Sequence, residues 1–174
     1  MPSLYRRILG PRFEALPEVL RRFHDLPGGG RAKGSLEIER ATCRPGNALA
    51  GLLGLPRTGE DVAVVLEVKV QGDKERWVRH MQGRTLETVQ WMKGEWLMEA
   101  LGPWAFASRM VVDGSEMRYE FQRAWFLGIP VPRWIAPFVD GGVDAGEGGW
   151  RVTVRIVAPI FGELVRYEGW IVPE

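Results

Sequence analysis

Between Asp61 and Val172 the chain alternates apolar and polar residues in short segments, separated by turns centred on glycine. The clearest segment is Val62, Val64, Leu66, Val68 and Val70, where every second position is apolar. A period of two places those side chains on one face of a strand. Gly72-Asp73 turns that segment into Glu75–Met81, and Gln82-Gly83 turns the next into Thr85–Met92. Lys93-Gly94 leads into Glu95–Leu101, and Gly102-Pro103 into Trp104–Val112. Asp113-Gly114 is the strongest hairpin signal, because Asp-Gly supplies the positive φ angles of a tight primed turn, and it leads into Glu116–Phe126. Ser35–Thr42, Trp150–Val157 and Glu163–Val172 complete the predicted strands.

The other stretches read differently. Ser3 can cap a short helical turn carrying Leu4, Tyr5, Ile8 and Leu9, stopped by Gly10-Pro11. Pro17 suits a first helical turn, and Leu16, Val19, Leu20 and Phe23 follow at helical spacing. Gly28-Gly29-Gly30 gives a hinge or a close approach; no Gly-Lys-Ser/Thr follows it, so it is not a phosphate loop. Asn47–Leu53 predicts another short helix and Trp134–Phe138 a single helical turn. The prolines of 127–133 exclude a central strand and favour an extended crossing. Asp140–Gly149, with five glycines and three acids, is expected to be the most flexible loop.

Sequential strands without a crossover helix exclude a parallel α/β sheet. The expected fold is mainly β, an antiparallel meander of about eight to ten strands over residues 35–172, and so long a sheet tends to curl. It should form a barrel or half-barrel, lipocalin-like in shape, with a helical segment 1–30 packed on the sheet, and the 174 residues should make a single domain.

Composition narrows the function classes. With 23 basic and 22 acidic residues the net charge is +1, so no electrostatic footprint for nucleic acid is present. Cys43 is the single cysteine, expected half-buried; an intrachain disulfide is excluded. His24 and His80 have no metal-ligand spacing and are expected at the surface or a helix terminus. No metal or cofactor is called for. No apolar run approaches the ~20 residues needed to cross a bilayer, and Met1–Arg7 lacks the apolar core of a signal peptide. A cytoplasmic location is the resulting expectation.

Candidate chemistry comes from polar residues that break the alternation. Arg79 shares a face with Trp77 and Met81, and Glu99 with Leu97 and Leu101. Ser108 falls among Trp104, Phe106, Met110 and Val112, and Arg123 among Met117, Tyr119, Phe121 and Trp125. If those faces line an interior, one carboxylate and two guanidinium groups point inward, and buried charges must be paired or bind something. Either Glu99 pairs with Arg79 or Arg123 and closes a network, or the excess positive charge receives an anionic head group while Trp77, Trp104 and Trp125 wall an apolar body. Apolar residues on both faces around Trp96–Met98 leave room for the opposite parity.

Several stretches resemble a bacterial family, domain of unknown function 4166. They are Leu4-Tyr5-Arg6-Arg7-x-Leu9-Gly10-Pro11, Leu16-Pro17, Phe23-His24, Glu75-Arg76-Trp77, Gly102-Pro103, Gly128–Arg133 and Pro159-x-x-Gly162-x-Leu164-Val165-x-Tyr167-x-Gly169-Trp170. Members of that family occur alone or joined to a saccharopine-dehydrogenase-like dinucleotide domain, which implies an accessory role beside an oxidoreductase partner. The resemblance assigns no catalytic residue. Three readings follow: a non-enzymatic binding module for a small amphiphilic or lipid-like ligand, a protein-interaction module, and a small enzyme using a buried carboxylate such as Glu99.

Overall fold

The computed structural model describes residues 2–174, and within them the meander closes on itself. Eleven strands form: β1 (Arg31–Arg40), β2 (Gly59–Gln71), β3 (Lys74–Met81), β4 (Arg84–Lys93), β5 (Trp96–Leu101), β6 (Trp104–Asp113), β7 (Glu116–Phe126), β8 (Ile129–Val131), β9 (Phe138–Gly146), β10 (Gly149–Ala158) and β11 (Gly162–Pro173). Each pairs antiparallel with its neighbour in sequence, except that β7 pairs directly with β9 beyond the short β8. β11 returns to β1, so ten strands make a closed barrel and β8 is an extra strand on the edge of β7. Closure removes the free edges that an open meander leaves. The proline-rich 127–133 thus contributes three edge residues, as Pro130 and Pro132 dictate.

The expectation of a flexible loop over 140–149 is overturned. Residues 140–149 are not a loop: Asp140–Gly146 lie in β9, Glu147-Gly148 form the turn, and Gly149 opens β10. The glycines serve curvature rather than flexibility. A Cβ on Gly141 would meet the Thr153 carbonyl oxygen at 2.8 Å, and one on Gly142 the Met117 oxygen at 2.8 Å. The same applies at the β1–β11 seam, where a Cβ on Gly169 would lie 2.0 Å from the Ser35 oxygen. Neighbouring backbones close a narrow barrel only where such side chains are missing.

The N-terminal segment forms α1 (Leu4–Leu9), a 3-10 turn over Gly10–Ala15, and α2 (Glu18–His24). Ser3 caps α1 by accepting from the Arg6 backbone N–H at 3.3 Å. Arg6 joins the three pieces, pairing with Glu14 and with Asp25 at 2.8 Å while its guanidinium lies over Phe13. Their apolar faces (Tyr5, Leu9, Phe13, Leu20, Phe23) merge with the inward strand residues in the main core. α1 and α2 therefore plug one end of the barrel, near the 72–73 and 94–95 turns, as the Arg7 bond to the Asp73 carbonyl indicates. The opposite end carries α3 (Arg44–Leu52), the 82–83, 102–103 and 159–161 turns, and the 127–137 segment. The α3 helix starts earlier than the apolar pattern suggests because Pro45 fits its first turn. Cys43, just before it, is exposed rather than half-buried.

Candidate functional site

The barrel encloses a cavity of about 150 Å³. Most of its wall is apolar, with Leu66, Leu97, Val152, Val154, Trp150 and Ile156 representative. Antiparallel register explains one polar strip. Cross-strand partners point to the same side of a sheet, and Trp77 opposes Thr88, Glu75 opposes Gln90, and Gln90 opposes Glu99. All five therefore face inward together, one residue pair beside the next.

A hydrogen-bonded chain runs through part of the strip. The Tyr5 hydroxyl donates to Gln90 Oε1 at 3.0 Å, and Gln90 Nε2 donates to Glu99 Oε1 at 3.2 Å. Tyr119 lies 3.4 Å from the Tyr5 oxygen and completes it as the donor, since Tyr5 has already given its own hydrogen to Gln90. At the other end Arg79 donates to Thr88 Oγ1 at 3.1 Å and approaches Glu99 at 3.8 Å, with its guanidinium 5.6 Å from the Trp77 ring centre. The Arg79–Glu99 contact is loose, and the two side chains keep 19% and 26% of their surface accessible. Trp77, Glu75, Thr88 and Gln90 are buried, so this contact is the most accessible part of the strip.

Beneath it the plug builds an aromatic and ionisable floor. Tyr5 stacks on His24 at 3.7 Å, and both stand about 6 Å from Trp77 (6.1 and 5.8 Å). Burial alone pushes the His24 imidazole down to about 3, so it is neutral at physiological pH. Burial also pushes the Tyr119 hydroxyl up to about 12. Glu75 accepts from the Trp77 indole N–H at 3.1 Å. Its pKa is raised by burial, against the opposing pull of the Trp77 and Leu4 hydrogen bonds and the Arg7 charge. A carboxyl with a raised folded pKa favours its protonated form, so folded-state stability falls as pH rises from the ordinary glutamate value through the folded one. Glu75→Gln should therefore stabilise the protein at neutral pH, with the gain shrinking towards pH 4; urea midpoints across that range check it, and a pH-independent gain would contradict it.

The predicted site residues separate into two groups. Trp77, Arg79, Glu99 and Ser108 line the cavity. Arg123, Trp104 and Trp125 do not. In β7 the residue Gln122 is a bulge: Phe121 opposes Ser108, but Arg123 opposes Ala107. One extra residue reverses the parity of everything after it. Arg123 is consequently exposed, in a groove with Pro130 and Arg133, and Trp125 lies on the outer surface with Lys93 over its ring. Trp104 keeps its inward side but sits beyond the cavity, stacked with Phe106 and touching Phe126 in a small second cluster. With Arg123 outside, the expected excess of positive charge vanishes: the station holds one guanidinium and one carboxylate.

Other members of the site carry weak sequence signals. Thr88 and Gln90 continue the inward parity of Leu86 within β4, and that alternation is the signal that could have exposed them. Tyr5 and His24 enter the barrel from helices, where strand parity says nothing. His24 ends α2 as expected but is buried, whereas His80 is exposed and contacts Thr85. Among the described residues no group of three or more His, Cys, Asp or Glu could hold a metal ion. Nor is any helix long and apolar enough to cross a membrane.

Fold and site together define an antiparallel β-barrel with one helically plugged end and a mostly apolar, partly polar lumen. The chain belongs to the family described as "Domain of unknown function (DUF4166)", whose profile matches residues 16–171. No curated protein matches the sequence. Among solved structures, a protein of unknown function from the DUF3598 family of Nostoc punctiforme is similar over 83% of this chain, with TM-score 0.51 and 9% identity; the match covers 47% of that longer protein. Apo lipid binding protein 8 of Caenorhabditis elegans matches over 83% of this chain and 94% of its own, with TM-score 0.45 and 12% identity. Zebrafish ileal bile acid-binding protein complexed with cholic acid matches over 80% and 95%, with TM-score 0.41 and 14% identity. At 9% identity the likeness to the Nostoc punctiforme protein is one of fold alone.

Proposed function

We propose that the barrel is a non-enzymatic binding module for a small amphiphile with a neutral polar head. The observation that supports this reading most is the loose, charge-balanced Arg79–Glu99 station in an otherwise apolar cavity. A hydroxyl or amide head group can accept from Arg79 and donate to Glu99, satisfying both. A carboxylate or phosphate would instead have to compete with Glu99 for Arg79 and face a like charge. Size bounds the apolar part. A cavity of about 150 Å³ matches the volume known to hold benzene, and lies below the roughly 300–1,000 Å³ of drug-sized pockets. The ligand body is thus on the order of six carbons unless the plug yields.

An NMR titration with 1-hexanol and hexanoate tests this directly. Shifts are expected at residues around Trp77 and Arg79, with hexanol binding more tightly than hexanoate. Glu99→Gln removes the competing charge and should reverse that preference. Val154→Trp, which fills the lumen, should abolish both. If neither ligand shifts lumen residues, or if the order of preference ignores Glu99, the reading is wrong.

A further inference from the structure

We propose that the end of the barrel opposite the N-terminal helices is a docking face for an anionic lipid membrane surface. Five large apolar side chains of the molecule, Leu52, Leu127, Ile129, Trp134 and Ile160, are between 68 and 85% exposed, and all five belong to the segments at that end. Single exposed apolar residues are ordinary on any protein surface; the concentration of the most exposed ones at one end is not. The carriers are held in place. Leu55 and Ala50 anchor α3 in the core, Arg40 donates to the Asn47 carbonyl, and the Leu127 amide bonds the Pro103 carbonyl.

Charge follows the same axis. The connecting segments at this end (41–58, 82–83, 102–103, 127–137 and 159–161) contain Arg44, Arg57 and Arg133 and no acidic residue, and Arg84 follows directly after one of them. All four arginines are exposed, and among the described residues none forms an ion pair. Arg57 and Arg84 are close enough to Arg40 to oppose its charge. At the plugged end the balance is different: the 72–73, 94–95 and 147–148 turns carry Asp73, Glu95 and Glu147, with Lys74 and Lys93 flanking two of them. Of the arginines in the helices there, Arg6, Arg21 and Arg22 are paired with carboxylates and Arg7 donates to the Asp73 carbonyl, while Arg12 has no ion pair among the described residues. The balanced total of +1 therefore conceals a chain whose one end combines apolar side chains with unneutralised arginine. Anionic headgroups over an apolar layer are the complementary surface, because arginine meets the phosphates while the apolar tips enter the acyl boundary. This inference stands independently of what the cavity holds.

Flotation with phosphatidylcholine vesicles, with and without phosphatidylglycerol, is the test. The protein should float with the anionic vesicles, release at high salt, and bind the neutral ones weakly. Replacing Arg44, Arg57 and Arg84 together by Gln should weaken binding on the order of 100-fold, at about fivefold for each such charge. Leu52→Ser with Ile160→Ser should weaken it further, whereas Glu95→Gln with Glu147→Gln at the far end should leave it unchanged. All of these positions are exposed, so the variants should keep the wild-type melting temperature. Absence of flotation, or flotation that ignores the arginines, overturns the proposal. So does light scattering that shows the free protein self-associating through Leu52 and Trp134, which would assign the face to a second copy of the chain.

Discussion

Acidification from pH 6.5 towards 3 is expected to remove roughly 4 to 5 kcal/mol of folding stability through His24 alone. The imidazole is buried against Tyr5, Phe23 and Trp77, and burial holds its folded pKa at about 3, against 6.5 for a solvated histidine. Between those two values the unfolded chain takes up a proton that the folded chain refuses. Stability therefore rises with pH across that window and is lost as pH falls, at about 1.4 kcal/mol per pH unit. Carboxylates held low by Arg6, such as Asp25 and Glu14, also lose their contribution on the acid side. A comparison with His24→Phe separates the terms, because phenylalanine can keep the stack on Tyr5 and cannot protonate. Urea midpoints at a series of pH values should converge: wild type and variant differ near pH 3 far more than near pH 7. Parallel curves would show that His24 is solvated in the folded protein.

The second large effect is expected from Tyr5, which is fully buried and links plug, polar strip and cavity. Tyr5→Ala should cost about 3–5 kcal/mol, the range for emptying a buried aromatic site, and lower the melting temperature by about 10 °C. It should also enlarge the lumen, so that longer amphiphiles such as 1-decanol bind the variant better than wild type. Tyr5→Phe keeps the volume and leaves Gln90 and Tyr119 without their partner, at about 1–3 kcal/mol. If Tyr5→Ala loses stability without extending the range of chain lengths, the plug supports the barrel but does not bound its cavity. The destabilisation and the ligand range thus report different physical roles of one side chain.

The polar strip shows how far strand parity reaches. Arg79, Glu99 and Ser108 were legible because each interrupts a period of two in a hydrogen-bonded ladder, and regular strands keep that period. Arg123 and Trp125 were not, because nothing local distinguishes Gln122 from any other strand residue. The bulge there is decided by how β7 must bend to pair with β6, β8 and β9 together. The same holds for Gly141 and Gly142. In composition they look like a loop, yet they are the positions where adjacent backbones leave no room for a side chain.

Glycine turns and alternation were enough to specify the strands, their antiparallel sense and the helical entry, since these depend on φ preferences and side-chain periods within a few residues. The barrel's closure through β1–β11, the insertion of Tyr5 and His24 into its lumen, and the pairing of Arg79 with Glu99 depend on contacts between residues far apart in the chain. So does the gathering of four unpaired arginines and five exposed apolar side chains at one end. Such separations carry no local period, and only the assembled sheet brings those groups within reach of one another.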